Sequence, residues 1–149
     1  GNLGTILRTA WAIGLTEVWV TIGTTDPYGP KAIRAGMGAQ FGLCLRDFTD
    51  LKEVRQNLHK IGFNRLWLSV PGTGTSCYTP EFDLHRSGLV IGNEATGVSE
   101  IADADQVSIP MPGRAESLNA AQAATILMFE AVRRQLLEEG PADDRGATL

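Results

Sequence analysis

Short apolar strands alternate with helical segments along most of the chain, and this alternation limits the fold more than any other feature of the sequence. Residues 3–11 repeat apolar side chains at helical spacing, whereas residues 17–22 are rich in β-branched and aromatic residues, as strands are. Further strands are predicted at 41–45, 65–70, 89–92 and 106–110, and further helices at 30–36, 50–61 and 118–138. This order predicts an α/β domain in which a mostly parallel sheet is flanked by helices.

Length and composition exclude several classes of protein. The 149 residues suffice for one domain with a buried core, and no apolar run is long enough to span a bilayer, so neither a membrane segment nor a secretory signal is expected. Cys44 and Cys77 lie far apart, which predicts reduced thiols of a cytoplasmic protein rather than a disulfide. His59 and His85 are also isolated, so we expect no metal site.

Three segments carry residues with chemical potential. The first, GNLGTILR at 1–8, has the spacing N-x-G-x-x-x-R. The second, LVIGNEATGVS at 89–99, is a strand that leads into G-x-E-x-x-G. The third, IPMPGRAESLNAAQAATILMFE at 109–130, is a strand end followed by a loop and by S-L-N at the start of a helix. Because ligands collect at the carboxyl ends of parallel strands, the second and third segments predict a binding site at that edge.

Each of these residues also has a purely structural interpretation. Gly92 and Gly97 lie on either side of Glu94. These glycines either allow the backbone to approach a ligand closely or form an ordinary turn. Ser117 or Asn119 is a candidate N-cap, and the free N–H groups of a helix start also bind anions and polar ligand edges.

The apolar and basic candidates have the same two interpretations. Ile109, Met111 and Leu118 form either the walls of a pocket for an adenine ring or part of the core. Arg8 lies off the apolar stripe of its helix, so it is either a solvated surface arginine or a residue that binds phosphate. In the second case Lys31 and Arg34 would extend the phosphate-binding patch. The loop GTGTS at 72–76 lacks the G-K-[ST] ending of a P-loop, which disfavours nucleotide binding there.

In this order and at these spacings, the three motifs resemble those of the SpoU/TrmH family of RNA methyltransferases, in the SPOUT superfamily, from residue 1 to about residue 135. The resemblance implies a catalytic domain over residues 1–138, a deep C-terminal trefoil knot and a disordered tail over 139–149. It also implies transfer of a methyl group from S-adenosylmethionine to a ribose 2′-hydroxyl of tRNA or rRNA, by a homodimer.

The resemblance implies a role for each matching residue. The cofactor would be bound by the loop and strand-end residues Gly92, Gly97, Ile109, Met111, Leu118 and Asn119. Arg8 would activate the ribose hydroxyl near the cofactor of the partner subunit, and the catalytic site would be completed by Asn2, Glu94, Ser117 and Asn119. The RNA itself would contact Arg8, Lys31 and Arg34. Ala120 and Ala121 stand where many relatives have Val-Ser, which removes one hydroxyl.

The acidic charge balance bears on RNA binding. Thirteen basic residues stand against seventeen acidic ones, which gives little non-specific affinity for phosphate. The resemblance implies a strand directly before Gly1 and an RNA-binding segment further upstream, so weak RNA binding is expected of this chain alone. Two other readings remain: a catalytically inactive knotted module that binds RNA or cofactor, and a Rossmann-like nucleotide-binding protein.

Overall fold

The computed structural model describes residues 1–92 and 103–134. Its first half contains α1 (Asn2–Ala12), β1 (Glu17–Thr21), α2 (Pro30–Gly36), a 3₁₀ helix (Ala39–Phe41), β2 (Cys44–Phe48) and α3 (Leu51–Lys60). The second half contains β3 (Arg65–Ser69), β4 (Thr75–Ser76), β5 (Ser87–Val90), β6 (Asp105–Ser108) and α4 (Ala120–Arg133). Strands and helices alternate as the sequence predicts.

The described strands form two parallel sheets. One pairs β1 with β2, and the other has the order β4-β6-β3-β5. Since every described pair is parallel, the carboxyl ends of β3, β5 and β6 meet at one edge of the larger sheet. The prediction of an α/β fold with a mostly parallel sheet is confirmed.

Helices cover both faces of the larger sheet. Trp67 of β3 and Val107 of β6 pack in one cluster with Leu127 of α4. The neighbouring Leu66 packs instead in a cluster with Val54 and Leu58 of α3. Successive side chains of a strand point to opposite faces, so α4 and α3 lie on opposite sides of β3.

A shared apolar cluster joins the two sheets. Ala10 of α1 packs against Ala124 and Met128 of α4, and this cluster also includes Val18 of β1 and Leu89 of β5. The α1 and α4 pair therefore bridges the two-stranded and the four-stranded sheets.

A groove of about 520 Å³ is lined on one side by β1 and on the other by β5, with apolar residues of α1 and α3 around it. Within the described ranges, β1 pairs only with β2 and β5 only with β3, so both strands present an unpaired edge. One water molecule occupies about 30 Å³, so the groove is large enough to hold a further segment of polypeptide.

The sequence placed one strand wrongly. Residues 41–45 were expected to be extended, but β2 runs from Cys44 to Phe48, and Phe41 ends a 3₁₀ helix. The difference arises because Gly38 has a left-handed backbone conformation, with φ 80°, and caps the start of this 3₁₀ turn. The register of β2 then buries Phe48, which packs against Val54.

The boundaries of other elements differ less. The predicted helix 30–36 is confirmed, and Asp50 caps α3. The predicted loop 71–80 contains the two residues of β4. Helix α4 begins at Ala120 rather than at Leu118, and the predicted extension to residue 138 and the tail beyond it lie outside the described residues. Cys44 is an exposed free thiol and Cys77 a buried one.

A buried carboxylate fixes the C-terminal end of α4. The Glu130 side chain is 7% exposed and accepts hydrogen bonds from Arg133 at 2.6 Å and from Arg134 at 2.8 Å. Arg134 also donates to the main-chain carbonyls of Cys77 and Phe82, which ties the helix to the loop after β4. The hydrogen bond from Arg133, with help from Arg134, lowers the pKa of Glu130 to about 2.

We predict that Glu130→Gln destabilises the fold in a pH-dependent way. The pKa of Glu130 is lower in the folded state than its ordinary value of 4.5, so its stabilising effect is complete above that value. The effect is lost as the pH falls toward 2. At neutral pH the variant should lose roughly 1–3 kcal/mol in urea unfolding, and the loss should shrink in acid. The exposed Glu116→Gln is the control, and a loss that does not change with pH would contradict the assignment.

Candidate functional site

A cleft lies at the carboxyl ends of β3, β5 and β6. Its lining consists of strand-end and loop residues together with the start of α4: Ser69, Val70, Pro71, Ile91, Gly92, Ile109, Met111, Ser117, Leu118, Ala120 and Ala123. This is where an open parallel sheet binds ligands. No charged side chain is among these described lining residues, so the cleft suits an apolar ring with polar edges.

Five of the residues singled out from the sequence line this cleft together. They come from the second and third motifs: Gly92, Ile109, Met111, Ser117 and Leu118. They are brought together because β5 and β6 flank β3 on its two sides. Their proximity is a structural finding, while their roles stay predictions. Glu94 and Gly97 lie outside the described residues.

Sequence reasoning missed the contribution of β3. Ser69 ends this strand, Val70 and Pro71 follow it, and all three form part of the cleft wall. Their only signal was Pro71 at the end of an apolar run. The central position of β3 in the sheet, which makes its end part of the site, depends on strand order and is not visible in the sequence.

Asn119 links the first and third motifs. Its Oδ1 accepts hydrogen bonds from the main-chain N–H groups of Ala121 at 2.9 Å and Gln122 at 3.4 Å, so Asn119 rather than Ser117 is the N-cap of α4. Its Nδ2 donates to Oδ1 of Asn2 at 3.0 Å. One side chain therefore caps α4 and attaches the start of α1 beside the cleft.

Gly4 of the first motif serves helix packing. A Cβ atom at this position would lie 2.3 Å from the carbonyl oxygen of Ala32 and 2.8 Å from the main-chain nitrogen of Gly36. Such distances are far inside van der Waals contact, so only glycine lets α1 approach α2 this closely. The first motif thereby holds α2 against α1.

Arg8 lies one turn after Gly4 and is exposed, as are Lys31 and Arg34 on α2. Residues four apart share a face of a helix, so Arg8 lies on the side of α1 that meets α2. None of the three basic side chains lines the cleft, and within residues 1–92 and 103–134 none forms an ion pair. They form a separate basic surface on α1 and α2.

The GTGTS loop has a structural explanation. Gly74 has φ 89°, and a Cβ atom there would lie 2.7 Å from the carbonyl oxygen of Gln106. The loop thus turns against the backbone of β6 so that Thr75 and Ser76 can pair with it. This packing accounts for the glycine without any bound phosphate.

Across the described part of the chain, no three His, Cys, Asp or Glu side chains come together as metal ligands do. None of the helices in those same residues has the length and apolar character needed to cross a membrane.

Comparison with known proteins assigns the family. A sequence profile of the SpoU rRNA methylase family matches residues 1–129. The chain belongs to this family. A relative of this SpoU domain, the 23S rRNA (uridine(2479)-2′-O)-methyltransferase of Streptomyces viridochromogenes, is 36% identical over 143 residues, which cover 91% of the chain and 50% of the relative. An uncharacterized tRNA/rRNA methyltransferase of Synechocystis is 35% identical over 145 residues, covering 95% and 52%.

Solved structures of SpoU proteins have the same fold. The SpoU methyltransferase AviRb of Streptomyces viridochromogenes, in complex with the cofactor AdoMet, superposes with a TM-score of 0.75 at 33% identity and covers 91% of this chain and 56% of its own. An AdoMet-bound rRNA methyltransferase of Sinorhizobium meliloti also gives 0.75, at 33% identity, covering 92% and 52%. The chain thus spans about half the length of the relatives that it matches.

We predict that Asn119→Ala costs more stability than Asn119→Asp. Alanine removes both the cap and the hydrogen bond to Asn2, and loss of the cap alone lowers the free energy of unfolding by about 1 kcal/mol. Aspartate keeps the oxygen that accepts the cap hydrogen bonds and loses only the donor to Asn2. Urea unfolding of both variants, alone and combined with Asn2→Ala, measures the coupling. Equal losses in the two variants would show that the cap contributes nothing.

Proposed function

We propose that this SpoU domain transfers a methyl group from S-adenosylmethionine to a ribose 2′-hydroxyl of tRNA or rRNA. The observation that carries the proposal is the cleft formed by the ends of β3, β5 and β6, which unites residues of the second and third motifs. Relatives whose names include 2′-O-methyltransferase activity and AdoMet binding support it.

The cleft residues fit the proposed cofactor. Ile91, Ile109, Met111 and Leu118 would enclose the adenine ring, and the bare backbone of Gly92 would meet its polar edge. The absence of carboxylates and cations among the described lining residues favours a neutral ring over a nucleotide phosphate. S-adenosylmethionine supplies, when bound, a methyl group activated for attack by an oxygen nucleophile.

Arg8 is the proposed residue at the ribose. A guanidinium keeps its proton in proteins, so Arg8 would orient a phosphate and stabilise developing negative charge on the ribose oxygen. As this oxygen bonded to the methyl carbon and the carbon–sulfur bond broke, the hydroxyl proton would pass to the RNA phosphate or to water. Asn2, Glu94, Ser117 and Asn119 complete this proposed catalytic set. Alignment of the hydroxyl with the methyl group, in a cleft with apolar walls, would supply much of the rate.

We also propose how the fold is completed. The strand expected before Gly1 would fill the groove between β1 and β5, because both unpaired edges face that groove and Leu3 and Ile6 of α1 line it. The C-terminal knot is proposed from the family resemblance. Residues 1–138 would then form the catalytic domain in the cytoplasm, and the residues after Arg134 lie outside the described part of the chain.

The proposed homodimer would use α4. Phe129 and Val132 of this helix are half-exposed and lie three residues apart, so they share one face. In such a dimer, Arg8 would act beside the cofactor of the partner subunit. An apolar contact of this kind is what a stable homodimer interface contains.

A catalytically inactive binding module is the second candidate. It would bind S-adenosylmethionine or RNA without methyl transfer. Incubation with labelled cofactor and total RNA, followed by mapping of 2′-O-methylated nucleotides, separates the two and identifies the substrate RNA. Transfer of label to a single nucleotide position is the expected result.

We predict that Gly92→Val abolishes cofactor binding. The new side chain would occupy the place where backbone must approach the ligand, while the exposed position leaves the fold intact. Calorimetry with S-adenosylmethionine should give about one site per parent chain and no detectable heat for the variant. Gly113→Val is the matched control, because a Cβ there meets nothing within 4 Å and the residue does not line the cleft. Undiminished binding by the Gly92 variant would remove this residue from the site.

We predict that Arg8→Ala lowers methyl transfer by orders of magnitude and leaves cofactor affinity unchanged, because Arg8 does not line the cleft. The turnover rate on total RNA measures methyl transfer, and calorimetry with S-adenosylmethionine measures the affinity for the cofactor. The exposed Arg114→Ala serves as the control for general loss of charge. Wild-type turnover in the Arg8 variant would exclude it from the reaction.

A further inference from the structure

Four large exposed side chains are here called the aromatic patch: Trp11 on α1, Tyr28 before α2, Met37 after α2, and Phe41 on the 3₁₀ helix. Trp11 is 52% exposed, Tyr28 50%, Met37 70% and Phe41 70%. The Tyr28 and Phe41 rings lie 5.9 Å apart between centroids. The Trp11 ring lies against Gly42, where a Cβ atom would come within 2.8 Å of its Nε1. The Tyr28 and Phe41 rings are therefore neighbours, and the Trp11 ring lies beside the residue that follows Phe41.

The backbone beneath the aromatic patch is firmly held. Gln40 is 1% exposed, and its Nε2 donates to the carbonyl oxygen of Pro27 at 2.7 Å, next to Tyr28. The main-chain N–H of Tyr28 donates to Oδ1 of Asp26 at 2.9 Å. Met37 has φ 51°, a left-handed conformation that costs energy for a residue with a side chain. Apolar side chains are thus held in solvent at a local energetic cost.

Basic residues border the aromatic patch. Lys31 and Arg34 lie three residues apart on α2, between Tyr28 and Met37 in the chain, and Arg8 precedes Trp11 by three residues on α1. Side chains at this spacing are neighbours on a helix. In the described part of the chain none of the three cations has a carboxylate partner. The chain as a whole has net charge −4, so this surface is a local exception.

We propose that the aromatic patch binds unpaired nucleotides of the RNA substrate, with bases stacked on Tyr28 and Phe41 and phosphates on Lys31 and Arg34. This inference rests on the proposed function and adds a preference for single-stranded RNA. Exposed aromatic rings beside cations are the surface that binds single strands, because bases stack on the rings while cations hold the backbone. Duplex RNA keeps its bases stacked inside the helix and cannot use the rings.

A second copy of the chain fits the aromatic patch less well. In a two-fold symmetric dimer the same surface of each copy meets, which would bring the cations of one patch against those of the other. Like charges in close contact are destabilising unless carboxylates intervene. Phosphates supply the negative charge that this surface lacks.

The test compares two variants of the 149-residue chain. Tyr28→Leu with Phe41→Leu removes both stacking rings and keeps apolar side chains. Tyr78→Leu makes the same kind of change at an aromatic side chain elsewhere, which is 55% exposed. Fluorescence anisotropy measures binding of each protein to a labelled single-stranded oligoribonucleotide and to the corresponding duplex, across a salt series.

We expect the patch variant to lose about tenfold or more in affinity for the single strand and to bind the duplex as the parent does. The control variant should bind both RNAs like the parent. Lys31→Gln with Arg34→Gln should weaken binding of both RNAs and flatten the salt dependence.

Three results would overturn the proposal. These are equal single-strand binding by the patch and control variants, no measurable single-strand binding by the parent, or a dimer in light scattering that only the patch variant dissociates. The last result would identify a second copy as the occupant. Calorimetry with S-adenosylmethionine is independent of these measurements, so an absence of cofactor binding would refute the proposed function without deciding the question of the patch.

Discussion

The insertion of β6 between β3 and β4 is the constraint on which the candidate site depends. The parallel pairing of Leu68 with Gln106 and of Thr75 with Val107 fixes the register of β6 relative to both neighbouring strands. That register determines where Ile109 lies beyond the end of β6, in the same cleft as Val70 and Ile91. A shift of one residue in this pairing would turn every side chain of β6 to the other face. The cleft is therefore a direct result of strand register.

The glycines and asparagines of the motifs have structural roles beside the functional ones proposed for them. Gly4 is required for the crossing of α1 and α2, and Asn119 is required for the start of α4. Through its bond to Asn2, Asn119 also places α1, and with it Arg8, at a fixed distance from the cleft. A change at such a residue would alter the site by moving a helix, in addition to removing whatever contact the residue makes with a ligand.

Local signals in the sequence predicted most elements, and long-range pairing explains what they missed. Apolar periodicity located α1, α3 and α4, and Pro30 located the start of α2, because these signals lie within one helix. The start of β2 was wrong because the left-handed Gly38 adds a turn that no periodicity reveals. Gly92, Ile109 and Leu118 were found as motif residues, but Ser69 and Val70 join them only through the strand order.

The groove between β1 and β5 has a consequence for the cooperativity of this chain. The sheet is open at its middle rather than only at its outer edges, so main-chain hydrogen bonds do not connect its two parts within the described residues. Side-chain contacts instead transmit stability from one part to the other. They include the cluster around Ala10, Ala124 and Met128 and the cluster in which Phe48 of β2 packs with Leu66 of β3. Packing without a hydrogen-bonded ladder permits the parts to open separately, as distinct units of local unfolding. An element that filled the groove would merge them into one cooperative unit. Local unfolding of the β1–β2 region would then also disrupt the cleft.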